Sequence, residues 1–169
     1  LTYARRTAYP FLRKLADFWE DYLVYENGRY VIYNDSTHEV PYFIGNAYKP
    51  ERHNDCNPIL ELAFVRIIMK TLLDISVRIG YDAERREKWR HILDHISDYP
   101  TMERGGKTIF RLTERGYDWC DTNTVHLQHI YPTGALGRES GERWMEIAVN
   151  SFWDGERWDD SNGFCSYFP

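Results

Sequence analysis

Asn57-Pro58-Ile59-Leu60-Glu61-Leu62-Ala63-Phe64-Val65-Arg66-Ile67-Ile68-Met69-Lys70-Thr71-Leu72-Leu73-Asp74-Ile75-Ser76-Val77-Arg78-Ile79-Gly80 reads as the most apolar helix in the chain. Asn57 reads as an N-cap and Pro58 as the first helical residue, where a missing N–H costs nothing. Gly80 supplies the stop. Apolar residues take most of the circumference, and Arg66, Lys70, Asp74 and Arg78, four residues apart, form one narrow polar stripe. A helix of that composition is surrounded by other helices. At about 1.5 Å per residue it spans roughly 30 Å, the thickness of a small domain. Glu61 sits off the stripe in the first turn, where it either complements the helix dipole or faces a site.

The neighbours of this helix are readable on both sides. Residues 8–24 place Phe11, Leu12, Leu15, Phe18, Trp19, Tyr22 and Leu23 at helical spacing, with charge on the other face. Asn27-Gly28 between β-formers predicts a tight hairpin over 24–31, because a type I′ turn needs positive φ at both central residues. Asp82 reads as the cap of an outer helix over about 83–97, with Trp89, Ile92, Leu93 and Ile96 inward and a solvated charged face. His91 and His95 stand four apart on it, a spacing that can hold a metal, but no Glu follows the first His and no metal is expected. Lys107 to Thr113 reads as a short strand after Gly105-Gly106, and about 140–153 as a further helix with Trp144, Ile147 and Ala148 inward. The expected class is all-α, a helical array with buried and outer helices alternating and short β-hairpin excursions at one end.

Composition limits the function. The net charge of −5 argues against nucleic acid, which needs a basic patch. No apolar run reaches the ~20 residues of a membrane span. Thirteen Tyr and six Trp supply many rings that can stack on sugars, or simply fill a helical core. Three cysteines, widely spaced, fit neither a disulfide framework nor a zinc motif. The absence of an initiator Met and of a signal peptide suggests a processed or excised piece.

Two polar-aromatic stretches carry the candidate chemistry. The first holds Asn34-Asp35-Ser36-Thr37-His38-Glu39 and, after a proline-broken loop, His53-Asn54-Asp55-Cys56-Asn57-Pro58. The second, Asp118 to Pro132, contains Trp119, Asp121, Asn123, His126, Gln128 and His129. Glu39, beside aromatics and away from a cation, would have the raised pKa that a general acid requires, or would cap a loop. His38, Asp55 and Asn57 could grip hydroxyls. Trp119 with Asp121 forms either a stack-and-grip pair or a ring packed under a loop. His126 and His129 could bind a sugar, bind a metal, or be satisfied core histidines. The expectation is that both stretches line one carbohydrate-binding mouth.

Tyr9-Pro10 opening an amphipathic helix, the hairpin, Ser36-Thr37-His38-Glu39, Asn57-Pro58 opening a buried helix, and His126-Leu127-Gln128-His129-Ile130-Tyr131-Pro132 together resemble glycoside hydrolase family 95. That family comprises α-L-fucosidase-type enzymes and relatives acting on other sugars. The resemblance implies an (α/α)6 toroid, an oligosaccharide or polysaccharide substrate, hydrolysis with inversion, no cofactor, and a secreted or periplasmic setting. It puts the general acid on Glu39, which falls on the Glu of the family's Ser-x-Ser-Pro-Glu segment. It puts His126 to Pro132 beside the sugar pocket, with Gln128 where the family has Ser. His38 stands where the family has Pro. The family's water-activating asparagines lie N-terminal to the matched region, and its assisting carboxylate is unmatched unless Asp159 or Asp160 replaces it.

Residues 1–169 are therefore expected to form a single partial domain, part of a toroid, silent by itself and open to self-association through uncovered apolar surface. Two other classes remain on sequence grounds: a non-catalytic glycan-binding or structural fragment, and a lyase or sugar phosphorylase on a similar toroid, with Tyr131 beside His129 as a base for the lyase.

Overall fold

The computed structural model describes residues 2–35, 55–116 and 125–155. Helix α1 spans Tyr9–Tyr22 and continues from a π-helical turn, Ala4–Ala8. It buries Tyr9, Ala16 and Trp19, and leaves Phe11 and Phe18 exposed. The hairpin follows as read: β1 (Val24–Glu26) pairs antiparallel with β2 (Arg29–Val31). Asn27 and Gly28 both take positive φ, 51° and 80°.

Helix α2, Ile59–Ile79, is the central element and packs against α1 and against α3, Arg86–His95. Leu62, Ala63, Val65, Ile68, Met69, Leu72 and Ile79 are buried. Gly80 closes it at φ 75°, its N–H donating to Ser76 O at 2.9 Å. Glu20 of α1 accepts from Trp89 Nε1 of α3 at 2.7 Å and pairs with Arg85 and Lys88, tying the two flanking helices together. Burial works against the Glu20 carboxylate, but the Arg85, Lys88 and Trp89 donors hold it below the usual range.

Three local expectations change. Asn57 does not cap α2; Pro58 holds the cap position, and Asn57 belongs to a strand, because its amide is taken by groups outside the helix. Asp82 holds the cap position of the 3-10 turn Ala83–Arg85 that leads into α3, but without a side-chain cap bond: it is left-handed, φ 47°, and its carboxylate accepts from Tyr9 Oη instead. Arg66 leaves the polar stripe, reaches Ser97 O at 2.8 Å and lies 4.5 Å from the Tyr99 ring centre. The outward side of α2 thus carries Lys70, Asp74 and Arg78 together with Phe64 (44% exposed) and Val77 (59%), so the helix is not fully enclosed.

Strands do more than make excursions. Strand β3 (Cys56–Pro58) pairs with β6 (Thr113–Arg115), and β4 (Thr101–Arg104) with β5 (Lys107–Phe110) across Gly105-Gly106. The β4–β5 pair packs on α4, Glu142–Gly155, through β5. There Phe110 N–H donates to Ser151 Oγ at 2.8 Å, and that hydroxyl donates to Ile147 O at 2.7 Å. The architecture is mainly helical with three short strand pairs among the described residues. No helix among them is long and apolar enough to cross a membrane.

Candidate active site

The two polar stretches leave the fold from adjacent strands. Asp35 and Asp55 close the root of the first: each backbone N–H donates to the other's carbonyl, at 3.3 and 3.2 Å. Directly after Asp55 comes β3, which pairs with β6, with Cys56 opposite Arg115. The second stretch begins just after β6. Gly116 sits there at φ 121°, and a Cβ on it would overlap the Asp55 carboxylate and stand 3.1 Å from Asp55 Cα. Only glycine lets β6 turn so tightly past Asp55.

A polar clamp holds this junction. Asn57 is fully buried, with φ 50°. Its Oδ1 accepts from Ile32 N–H at 2.8 Å, its Nδ2 donates to Glu114 Oε2 at 2.6 Å, and its own N–H donates to Ile32 O at 2.9 Å. Glu114 in turn takes a two-pronged contact from Arg29, 2.7 Å on each arm. That pairing, with the Asn57 amide, keeps the Glu114 carboxyl below the ordinary carboxylate range. The strand ends β2, β3 and β6 are thereby locked in one frame at the N-terminal end of α2. Asn57 serves that frame with its whole amide.

Glu61, in the first turn of α2, has one carboxylate oxygen buried without a hydrogen-bond partner. Burial, reinforced by the nearby Asp35 and Asp55 charges, pushes its carboxyl up to about 8. It is a proton-holding carboxyl at neutral pH, close to the Asp35 and Asp55 roots of the first stretch.

The histidines lie elsewhere in the packing. His126 belongs to a 3-10 turn, Val125–Leu127, and is 2% exposed; His129 is fully buried. The His129 ring packs edge-on to Phe110 at 4.3 Å and against Tyr99 at 4.8 Å, and neither ring nitrogen has a hydrogen-bond partner. Phe110 stacks on Trp144 beyond it. Burial pushes His126 down to about 4, with Arg104 adding to it, and His129 down to about 3, with His126 and Arg66 adding. Both are neutral rings at pH 7, and His129 lies inside an aromatic layer.

Of the other expected site residues, Glu39, His38, Trp119 and Asp121 lie outside the described residues. Asp55 is 3% exposed at the junction. His91 and His95 stack at 4.1 Å, His91 Nδ1 lies 3.1 Å from Tyr30 Oη, and His95 Nδ1 lies 2.8 Å from His91 O. Sequence reasoning missed Arg29, Glu114 and Gly116. The first two meet only through strand pairing; Gly116, at the threshold of a polar loop, was the one available signal.

These features define a mainly helical domain in which the ends of two polar stretches meet at one clamped strand junction near a proton-holding carboxyl. The family model described as glycosyl hydrolase family 95 catalytic domain matches residues 1–165, and the chain belongs to that family. No curated protein matches it.

Proposed function

We propose that this chain carries the general-acid side of an α-L-fucosidase-like active site, with Glu39 protonating the leaving-group oxygen as the glycosidic bond breaks with inversion. The single observation that supports the reading is the junction: the Asp35–Asp55 bridge, the β3–β6 pairing and Gly116 set the roots of both polar loops side by side. In this reading His38, Trp119 and Asp121 contact the sugar, while Asp55 and Asn57 hold the frame. His126 and His129 act from behind it, shaping the aromatic layer. Inversion needs a water activated on the far face of the sugar, with the two groups roughly 6.5–9.5 Å apart. The family resemblance puts the residues that activate it N-terminal to the matched region. This reading takes residues 1–169 as one part of such a toroid, and the four helices of ten residues or more among the described residues are compatible with it.

The test is Glu39→Gln in the enzyme that contains the chain, assayed on two fucosides. Gln is isosteric but has no acidic proton. The expected result is a loss of about 10²–10⁴-fold on a substrate with a poor leaving group. A substrate with a good leaving group loses far less, since it needs no proton. Near-normal turnover of the poor leaving group would remove Glu39 from this role.

A further inference from the structure

At the other end of α2, roughly 30 Å from the junction by its length, lies a second feature that the active site does not use. A cleft of about 410 Å³ opens between the start of α1 and the turn after α2. Arg5, Tyr9, Arg13, Tyr81 and Asp82 line it. That volume is in the range of small-ligand sites, roughly 300–1,000 Å³.

The cleft has a built interior. Tyr81 stands between two left-handed residues, Gly80 at φ 75° and Asp82 at φ 47°. An aspartate in that conformation is uncommon and needs support. It has it: Tyr9 Oη donates to Asp82 Oδ2 at 2.6 Å, and Arg13 Nε lies 3.2 Å from the same oxygen. The Tyr81 ring, half exposed, rests edge-on against buried Tyr9 at 5.8 Å. The fold thus holds an aromatic face open to solvent at one wall of the cleft. Arg5 is exposed on the rim and has no partner among the described residues.

The chemistry of this lining is specific. A half-exposed tyrosine ring offers a platform for the C–H face of a pyranose. The Asp82 carboxylate accepts hydroxyl protons, and Arg13 donates. Two guanidinium groups against one carboxylate leave the lining with a charge of +1, in a chain whose net charge is −5. Arginine prefers planar oxyanions that it can grip with two N–H groups.

We propose that this cleft is a second saccharide site, remote from the active site, which takes an acidic sugar unit. The sugar ring lies on Tyr81, its carboxylate meets Arg5 and Arg13, and Asp82 accepts from its hydroxyls. The proposal shares with the reading above only the class of ligand.

The probe is the galacturonic acid dimer, titrated by calorimetry and by NMR into the enzyme that contains the chain, with the neutral galactose dimer alongside. All titrations are repeated in Glu39→Gln, so that loss of hydrolysis and loss of cleft binding are read separately. The expected result is saturable binding of the acidic dimer, about ten-fold or more tighter than the neutral one, and unchanged in Glu39→Gln. Arg5→Ala and Tyr81→Ala should each weaken it about ten-fold or more. Raising the salt should weaken it too, because the pairs are exposed. Arg5 supports nothing in the fold, so Arg5→Ala decides the matter even if Tyr81→Ala unfolds. No saturable binding, equal binding of the neutral dimer, or full affinity in Arg5→Ala would overturn the proposal. So would inorganic phosphate competing as well as the dimer, which would make the cleft a bare anion site.

Discussion

The junction at Asp55 and Asn57 and the turn at His126 and His129 look alike in sequence, each a set of polar side chains among aromatics. The structure treats them in opposite ways. At the junction the clamp groups are partnered: the Asn57 amide and the Glu114 carboxylate have direct partners, and the backbones of Asp35 and Asp55 are bonded to each other. At the turn, the His129 ring is packed tilted against Tyr99 and edge-on to Phe110, with both nitrogens unbonded. The first arrangement fixes geometry. The second stores a cost that depends on pH, since a buried ring that stays neutral loses ground whenever the unfolded chain can take a proton.

That difference gives the largest expected effect. The folded-state pKa values of the histidines, about 4 and about 3, lie below the ordinary value near 6.5. The unfolded state therefore binds more protons as pH falls below about 6.5, and stability is lost from there down to about 3–4. At about 1.36 kcal/mol per unit, the two downshifted rings remove several kcal/mol by pH 4, a large share of the ~5–15 kcal/mol of an ordinary domain. Urea denaturation at pH 7, 5.5 and 4 measures it. His129→Phe should flatten this slope, whereas Asn57→Ala should not.

Gly116→Ala tests the junction itself. The added methyl meets the Asp55 carboxylate in a backbone conformation that disfavours side chains. Overpacking and strain of that kind cost about 3 kcal/mol together. Both loop roots should shift, so sugar affinity should fall as well as melting temperature. Unchanged affinity in a folded Gly116→Ala protein would separate the loops from the junction.

Asn57→Ala leaves the Ile32 N–H without its acceptor and removes one donor from Glu114. Two buried hydrogen bonds of this type are worth about 2 kcal/mol in net stability. The loss should be independent of pH between 5 and 8, in contrast to the histidine layer.

Glu61→Gln is the smallest effect and has the opposite sign. A carboxyl held up at about 8 favours folding most below the unfolded value near 4.5, and that contribution is lost as pH rises from 4.5 toward 8. Gln removes the penalty at neutral pH, but its own NH₂ then needs a partner. The net gain at pH 7 is about 1 kcal/mol, after the cost of that unpaired amide. Chemical denaturation of the two proteins at pH 5 and pH 8 should show the gain at pH 8 only.

The helices were legible because their signals are local. Periodic apolar residues placed α1, α2, α3 and α4, Asn27-Gly28 placed the hairpin, and Gly80 placed the end of α2. The family was legible because its motifs are contiguous segments. The junction was not. Cys-Asn-Pro and Thr-Glu-Arg are three-residue strands without alternation, and only their pairing makes them strands. Arg29 and Glu114 lie 85 residues apart, so their contact has no local trace. Asn57 before Pro58 carries the same signal whether it caps a helix or clamps two strands. Its partners Ile32 and Glu114 decide, and they are distant in sequence. For His129, residue type alone could not foresee a ring packed against Tyr99 and Phe110.

The most direct test of the account is the identity of the first-formed product from an α-L-fucoside, followed by ¹H NMR of the anomeric proton with the enzyme that contains this chain. Hydrolysis with inversion predicts that the β-anomer of the free sugar appears first and mutarotates later, at a rate that falls about 10²–10⁴-fold in Glu39→Gln. An α-anomer appearing first, an unsaturated sugar, or a phosphorylated product would contradict it.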